Sequence, residues 1–162
     1  MSKVLILMGS DSDFDVMKKA YKVFNEMDIS FEIDICSAHR TPERAKKYAE
    51  EAEKRGIEVI IAAAGMSAHL AGFISAYTTV PVIGVPIASG ALNGFDALLS
   101  TVQMPPGVPV ATVGINGSEN AAYLACEILS IKYPEIRDKL KQKRKEMYTK
   151  VLEKSEKIKK EL

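Results

Sequence analysis

The stretch Phe31-Glu-Ile-Asp-Ile-Cys36, followed by Ser37-Ala-His-Arg-Thr-Pro42, indicates how this chain folds. The first six residues are largely apolar and β-branched, which predicts a strand. Pro42 loses no needed hydrogen bond at the first position of a helix, and Thr41 can cap that helix. The turn between strand and helix therefore presents one imidazole and one guanidinium. Ligands bind at this edge of open α/β sheets, although a simple polar helix-entry turn explains the same residues.

Strands and helices alternate along the rest of the chain. The pattern predicts strands over residues 3–8, 31–36, 59–64, 81–85 and 110–113. It predicts helices over residues 14–28, 41–55, about 70–77, 95–103 and 119–132. Such alternation is typical of a parallel sheet that is covered by helices on both faces. Right-handed crossovers then favour an α/β fold with three αβα layers, arranged as in flavodoxin.

The length and composition are those of one globular domain. The chain has 162 residues, of which 47% are apolar and 27% are charged. We predict a single domain over 1–162, with an α/β core at 1–133 and a helical extension at 134–162. Although residues 137–162 hold 11 Lys and Arg against 5 Asp and Glu, the interspersed acidic residues indicate a solvated helix face. We therefore expect no nucleic-acid partner.

The first residues and the cysteines indicate a cytoplasmic protein. The apolar run Val4–Met8 is shorter than a secretory signal needs. Cys36 and Cys126 stand far apart in apolar surroundings and have no metal-ligand spacing. They are predicted to be buried free thiols.

The segment 59–118 is almost without charge, since Asp96 is its only Asp, Glu, Lys or Arg. A membrane span needs about 20 continuous apolar helical residues, and glycines and prolines interrupt this segment every few positions. A protein of this size has too much surface to hide such a segment within one monomer. We therefore expect much of it to be buried against other copies of the chain.

The last predicted helix carries a narrow apolar stripe on an otherwise charged surface. Its members follow at spacings of 4 and 7: Ile136, Leu140, Met147, Val151, Ile158 and Leu162. A helix of about 27 residues is roughly 40 Å long, more than a small domain can cover. The stripe is expected to pack on a neighbouring subunit, the alternative being a helix that lies along its own domain.

The chain has two histidines, and each follows a predicted strand. His39 and His69 are flanked by Ser, Ala or Gly, which leave space around each ring. This suits a ligand cleft in which an imidazole moves protons near neutral pH. A structural role is the simpler alternative for either residue. No carboxylate or cysteine joins them at a ligand spacing, so a metal site is not expected.

The loop after the first strand offers further candidates. Ser10 and Ser12 hydroxyls, with the free N–H groups of a helix start, suit a phosphate. Asp13 would repel a phosphate and is better placed on sugar hydroxyls or an amine, although Ser12 or Asp13 can equally cap the helix. Arg40 can bind a phosphate bidentately or pair with a surface carboxylate such as Glu43.

Several common motifs are absent from the sequence. No Gly-x-Gly-x-x-Gly follows a strand, and neither a P-loop nor a Gly-x-Ser-x-Gly elbow occurs. The residues alone thus indicate an oligomeric α/β protein with a phosphate-compatible, histidine-containing site. They indicate no cofactor.

Four motifs, taken together, resemble those of one enzyme family. They are Met8-Gly-Ser-Asp-Ser-Asp13, Ser37-Ala-His-Arg-Thr-Pro42, Ala64-Gly-Met-Ser-Ala-His-Leu70, and Leu92-Asn-Gly-Phe-Asp96 continuing to Val102-Gln-Met-Pro105. In this order they resemble the N5-carboxyaminoimidazole ribonucleotide mutases, the PurE-type isomerases of purine (IMP) biosynthesis. The resemblance spans essentially the whole chain. It implies a flavodoxin-like subunit, a homo-octamer with active sites shared between subunits, and a terminal helix that embraces a neighbour.

The resemblance also implies roles for particular residues. His39 corresponds to the catalytic histidine, while Ser10, Asp13 and Arg40 correspond to nucleotide contacts with Ser12 nearby. The remaining substrate-binding positions are Ser37, Ala38, Gly65, His69 and Leu70. Carbon dioxide released from the substrate is expected in a small pocket lined by Ser37, Ala38, Gly65, Ala68 and Gly90.

Two other functions remain open for the same fold. The related carboxylase type uses free CO2 and aminoimidazole ribonucleotide, but it lacks the second histidine and usually has Lys at the position of Arg40. His69 and Arg40 therefore favour the mutase. The other alternative is a nucleotide-binding protein without catalytic activity. For the mutase, the resemblance implies no cofactor, and channelling of substrate from an ATP-dependent N5-carboxylating synthetase is a further expectation.

Overall fold

Five parallel strands form the centre of the computed structural model, which describes residues 2–161. The strands are β1 (Val4–Met8), β2 (Phe31–Ile35), β3 (Val59–Gly65), β4 (Val82–Ile87) and β5 (Ala111–Thr112). Their order across the sheet is β2-β1-β3-β4-β5. This is the flavodoxin-like order, and it confirms the predicted fold class.

Six α-helices connect or follow the strands. They are α1 (Phe14–Glu26), α2 (Pro42–Glu51), α3 (Leu70–Ser75), α4 (Phe95–Val102), α5 (Ser118–Leu129) and α6 (Pro134–Glu161). A 3-10 turn at Asp11–Asp13 precedes α1. Of the helices among residues 2–161, none combines the length and apolarity that crossing a membrane requires.

Both faces of the sheet are buried. Leu5 and Leu7 of β1 pack with alanines of α2 and with Leu70 and Ile74 of α3. Successive strand residues point to opposite faces, so Val4 and Ile6 face the other way, and they are equally inaccessible to solvent. The near-continuous apolar runs at 4–8 and 59–63 are therefore explained by central parallel strands with both faces covered.

The two edge strands depart from the expected pattern. The residues of β2 are half-buried or exposed, because β2 has a single neighbouring strand, β1. Only Ala111 and Thr112 of the predicted strand 110–113 pair with β4. Edge position thus explains both the mixed polarity of 31–35 and the short fifth strand.

The second helix ends earlier than the sequence indicated. It stops at Glu51 and gives way to turns, with Gly56 at a φ of +78° five residues later. Acidic side chains at 50, 51 and 53 oppose the helix dipole at this end. Gly56 therefore closes the turn before β3 and does not terminate the helix itself.

The chain divides into two compact units, the first reaching Ala125 and the second starting at Cys126. The first unit contains the whole sheet. In the second, α6 carries ion pairs such as Arg144 with Glu127. Three residues of its stripe, Met147, Val151 and Ile158, are exposed in the single chain, and the last one, Leu162, lies outside the described residues. Packing of this helix on another subunit stays a prediction, as does the domain boundary at 133.

Candidate active site

A cavity of about 580 Å³ opens at the carboxyl edge of the sheet, where β1, β2, β3 and β4 end. The ten residues that the sequence assigned to catalysis or substrate binding line it: Ser10, Ser12, Asp13, Ser37, Ala38, His39, Arg40, Gly65, His69 and Leu70. The rest of the lining is Gly9, Ala64, Met66, Ser67, Ile87, Ala88 and Ser89. The sheet order brings these residues together, because parallel strands end at one edge.

The loop after β1 is closed by a reciprocal pair of hydrogen bonds. Ser10 Oγ accepts from the Ser12 amide, and Asp13 Oδ2 accepts from the Ser10 amide at 3.0 Å. This capping box holds the 3-10 turn 11–13. Of the two residues that the capping alternative named, Asp13 completes the box, and the capping residue itself is Ser10 and not Ser12. Asp13 also occupies the N-cap position of α1, but its side chain makes no cap hydrogen bond there.

Asp13 is a buried carboxyl at the wall of the cavity. It is 4% exposed, and burial raises its pKa above the ordinary value, although the amides of Ser10 and Gly9 oppose this effect. The neighbouring Asp11 has its pKa lowered, mainly by the hydrogen bond from the Ser10 hydroxyl. The loop therefore combines a desolvated acceptor with a solvated carboxylate.

The turn after β2 is stabilised by Thr41 in an unexpected way. Thr41 Oγ1 donates to the Ser37 carbonyl and accepts from the Ser37 amide, both at 3.0 Å. Thr41 stands at the N-cap position of α2, yet its side chain makes no cap hydrogen bond. The predicted capping by the Thr41 side chain is wrong, because its hydroxyl is used to close the turn that presents His39 and Arg40.

Arg40 reaches back across the cavity edge to β1. Its guanidinium donates to the Gly9 carbonyl at 2.9 Å and lies 3.5 Å from Ser37 Oγ. It does not pair with Glu43, whose carboxylate was the alternative partner. Two neighbouring strands thus fix the guanidinium, and its other N–H groups remain for a ligand.

The two histidines are hydrogen-bonded to each other. His39 Nε2 lies 2.9 Å from His69 Nδ1, and the ring planes meet at 81°. One ring nitrogen must donate and the other accept, so the tautomers of the two rings are coupled. Both rings line the cavity, which makes the pair a candidate site of proton transfer.

A tight loop after β3 carries His69 to that position. Met66 has a φ of +54°, and the amides of Ala68 and His69 donate to the carbonyls of Met66 and Ser67. His69 then starts α3 at the N-cap position. Of the predicted CO2-pocket residues, Ser37, Ala38 and Gly65 line the cavity. Ala68 is only 1% exposed, and both Ala68 and Gly90 lie outside the lining.

Of the loop after β4, the sequence interpretation named only Gly90 and missed the residues that line the cavity. These are Ile87, Ala88 and Ser89. A Cβ at Gly65 would lie 2.4 Å from Ser89 Oγ, so a larger residue at this position would displace the hydroxyl. The signal was present, because β4 was predicted and its carboxyl end must share the edge with β1 and β3.

Other ionisable groups do not form a second site of this kind. Among residues 2–161, no cluster of three or more His, Cys, Asp or Glu could hold a metal. Cys36 and Cys126 are buried, as predicted, and burial raises the pKa of Cys126 to about 12. A smaller cavity of about 320 Å³ borders Tyr48. Arg44 and Arg55 at its rim are paired with Asp34 and Glu32.

Comparison with known proteins identifies one matching family and several proteins of similar sequence. The model of the family described as AIR carboxylase matches residues 3–150. The N5-carboxyaminoimidazole ribonucleotide mutase of Pyrococcus abyssi is 65% identical over 91% of this chain and 84% of its own. The mutase of Thermotoga maritima is 56% identical over 98% of this chain and 92% of its own.

A solved structure agrees with these sequence relatives. The crystal structure of Treponema denticola PurE superposes with a TM-score of 0.87 at 33% identity, covering 96% of this chain and 98% of that one. The family match spans the strands, the loops that form the cavity and most of α6. The chain therefore belongs to the AIR carboxylase family.

Proposed function

We propose that this protein is a mutase that converts N5-carboxyaminoimidazole ribonucleotide into 4-carboxy-5-aminoimidazole ribonucleotide in purine biosynthesis. The observation that carries the proposal is the His39–His69 hydrogen bond of 2.9 Å inside a cavity lined by serines, an arginine and a buried aspartate. Relatives that share more than half of their residues with the chain bear the name of this mutase.

The polar groups of the cavity suit the two ends of a ribonucleotide. Arg40, Ser10 and Ser12 surround the end of β1, where a guanidinium and hydroxyls together bind a phosphate. The buried acceptor Asp13 takes ribose hydroxyls. Ser37 supports this arrangement, since its hydroxyl accepts from the Arg40 amide at 3.1 Å.

The histidine pair performs the proton work. His39 gives a proton to N5 as the bond between N5 and the carboxylate carbon breaks, which releases CO2 and aminoimidazole ribonucleotide. C4 of the electron-rich ring then attacks the CO2, and His39 removes the C4 proton to restore the aromatic ring. One proton is given and one is taken, so the cycle balances without an oxidant, a reductant or ATP.

His69 supports His39 and borders the reacting ring together with Gly65 and Leu70. The hydrogen bond between the rings orients His39, and the pair can hold the proton while C4 and CO2 combine. Ala38 and Gly65 leave space for CO2 beside the ring.

We further propose that the protein works as a homo-octamer in the cytoplasm, with substrate passed on from the N5-carboxylating synthetase. Exposed apolar side chains support the assembly: Phe95, Leu99 and Val102 form one stripe along α4, and the outer part of α6 forms another. The two reduced cysteines are compatible with a reducing compartment.

The test is to supply two substrates separately and to follow the absorbance of the C4-carboxylated product. Conversion of N5-carboxyaminoimidazole ribonucleotide, but not of aminoimidazole ribonucleotide with bicarbonate, is expected for the mutase. Preference for the second mixture would identify a carboxylase instead. Tight binding of the nucleotide with no conversion of either would leave a binding protein and overturn the proposal.

A further inference from the structure

The loop after β4 brings the Ser89 hydroxyl to the cavity, and none of the nucleotide contacts proposed above involves this group. Ser89 lines the cavity opposite the loop of β1. No hydrogen bond joins Ser89 Oγ to another side chain or backbone group within residues 2–161. Ser89 is half-buried and belongs to the cavity lining, so its hydroxyl is accessible to a ligand in the cavity.

Gly65 fixes how closely this hydroxyl approaches the floor of the cavity. Gly65 is the last residue of β3 and pairs with Ile87 of β4. The Cβ that any other residue would place there would lie 2.4 Å from Ser89 Oγ and 3.2 Å from the Ile87 carbonyl. The absence of a side chain at 65 therefore lets Ser89 lie directly against the end of β3, four residues before His69.

Asn116 holds the loop of Ser89 in place from the other side. Its side-chain Oδ1 accepts from the Ala88 amide at 2.9 Å, and its own amide donates to the Pro86 carbonyl at 2.8 Å. Asn116 has a φ of +57°, a conformation that Asn tolerates better than most residues. The loop is thus bound on both sides of Ile87, and Ala88 has its amide occupied. The Ser89 hydroxyl remains as the free polar group of this loop.

The sheet order separates Ser89 from the proposed phosphate site. Arg40 and Ser10 lie at the ends of β2 and β1, whereas Ser89 follows β4, which is separated from β1 by β3. Neighbouring strands are about 4.8 Å apart, so the ends of β1 and β4 are roughly 10 Å apart. A ligand with its phosphate at β1 would reach β4 with its base and carboxylate, passing the histidine pair on the way.

We propose that Ser89 donates a hydrogen bond to the migrating carboxylate, and that Asn116 is the positioning residue that holds Ser89 there. This inference rests on the proposed mutase function. The hydroxyl binds a carboxylate oxygen of the substrate and keeps the released CO2 beside C4 until the new bond forms. Its loss would allow CO2 to escape, so that aminoimidazole ribonucleotide accumulates beside the product.

The experiment uses substrate labelled with ¹³C in the N5-carboxylate and follows how much label the product retains in unlabelled bicarbonate. Ser89→Ala is expected to raise the ratio of released aminoimidazole ribonucleotide to carboxylated product by about 3- to 10-fold, the range for one lost hydrogen bond. Its Kd for aminoimidazole ribonucleotide, which has no carboxylate, should equal that of the wild type. Ser75→Ala is the matched control, since that hydroxyl bonds only the Gly72 carbonyl and lies outside the cavity lining.

Asn116 is tested by two variants, one that lacks a side-chain acceptor and one that keeps it. Asn116→Gly keeps the positive φ and the amide but loses the acceptor of the Ala88 amide, and it should leak CO2 as Ser89→Ala does. Asn116→Asp keeps an acceptor and should retain the label. Asn93→Gly is a control, because Asn93 also has a positive φ of 48° but lies outside the cavity lining.

The outcomes separate this inference from the proposed function. Full retention of label by Ser89→Ala, or an equal loss of affinity for aminoimidazole ribonucleotide, would show that Ser89 does not contact the carboxylate. Leakage from Asn116→Asp equal to that from Asn116→Gly would remove the positioning role. If the wild type forms no carboxylated product at all, the mutase function itself fails, and this inference with it.

Discussion

His39 and His69, thirty positions apart in the chain, share a hydrogen bond of 2.9 Å between Nε2 and Nδ1. The two residues follow β2 and β3, which are not neighbours, since β1 lies between them. Each turn must therefore lean over the end of β1 for the rings to meet. The pair lines the same cavity as Ser10 and Asp13, so the groups proposed for proton transfer and for nucleotide binding share one site.

Replacement of the first histidine should separate binding from turnover. His39→Asn keeps a polar side chain of similar width but cannot transfer protons, so kcat should fall about 10²- to 10⁴-fold. The Kd for aminoimidazole ribonucleotide, measured by calorimetry, should change little. His69→Asn should lower kcat less, because it leaves the His39 ring in place. Activity of His39→Asn close to that of the wild type would exclude the proposed proton donor.

Loss of the guanidinium at 40 should weaken nucleotide binding. A hydrogen bond to a charged group contributes about 1.5–3 kcal/mol, so Arg40→Ala should raise the Kd for aminoimidazole ribonucleotide roughly 10- to 100-fold. The effect should shrink for the dephosphorylated nucleoside. Arg44→Ala is the matched control, since Arg44 pairs with Asp34 and does not line the cavity. An equal effect of both variants would argue against a phosphate contact at Arg40.

Ionisation of Asp13 should lower the free energy of unfolding of the protein. Burial raises its pKa above the ordinary value of 3.8, so the folded state favours the protonated form. Its contribution to the free energy of unfolding is full below 3.8 and is lost as the pH rises through the higher folded pKa. Asp13→Asn cannot ionise at this position. Its free energy of unfolding should therefore increase relative to that of the wild type as the pH rises through the folded pKa of Asp13.

Urea unfolding at a series of pH values measures this difference for Asp13→Asn. The exposed Asp15→Asn serves as the control, since that side chain lies on the surface of α1. The Asp13 variant should also bind ribonucleotide more weakly, because a neutral amide is a poorer acceptor for ribose hydroxyls. A stability difference that does not change with pH would contradict the effect of burial.

The apolar face of α4 should hold subunits together. Phe95, Leu99 and Val102 follow at helical spacing and are 59%, 42% and 47% exposed in the single chain. Leu99→Glu places a charge in this face and should reduce the mass measured by light scattering, because burying an unpaired carboxylate is costly. Asn25→Glu adds the same charge to an exposed position of α1 and should leave the mass unchanged. An unaltered mass for Leu99→Glu would mean that this face is not an interface.

Local pattern was sufficient for most of the architecture and for most of the polar residues that line the cavity. The apolar runs at 4–8 and 59–63 predicted the central strands, because short, near-continuous apolar runs are typical of parallel strands with both faces buried. The four motifs placed Ser10, Asp13, His39, Arg40 and His69 in loops after strands. The structure differs from the prediction at the C-terminal end of α2 and in the length of β5. Charge at a helix end and edge position in a sheet modify local propensity at these two places.

Only the tertiary structure decided which of these loops touch. The hydrogen bonds from Arg40 to the Gly9 carbonyl and between His39 and His69 depend on the order β2-β1-β3-β4-β5. The same holds for the contact between Gly65 and Ser89 and for the Asn116 bond to Ala88. Strand order and register come from long-range packing, which no local stretch encodes. The sequence by itself therefore determined the chemical groups of the site, and packing of the sheet set the distances between them.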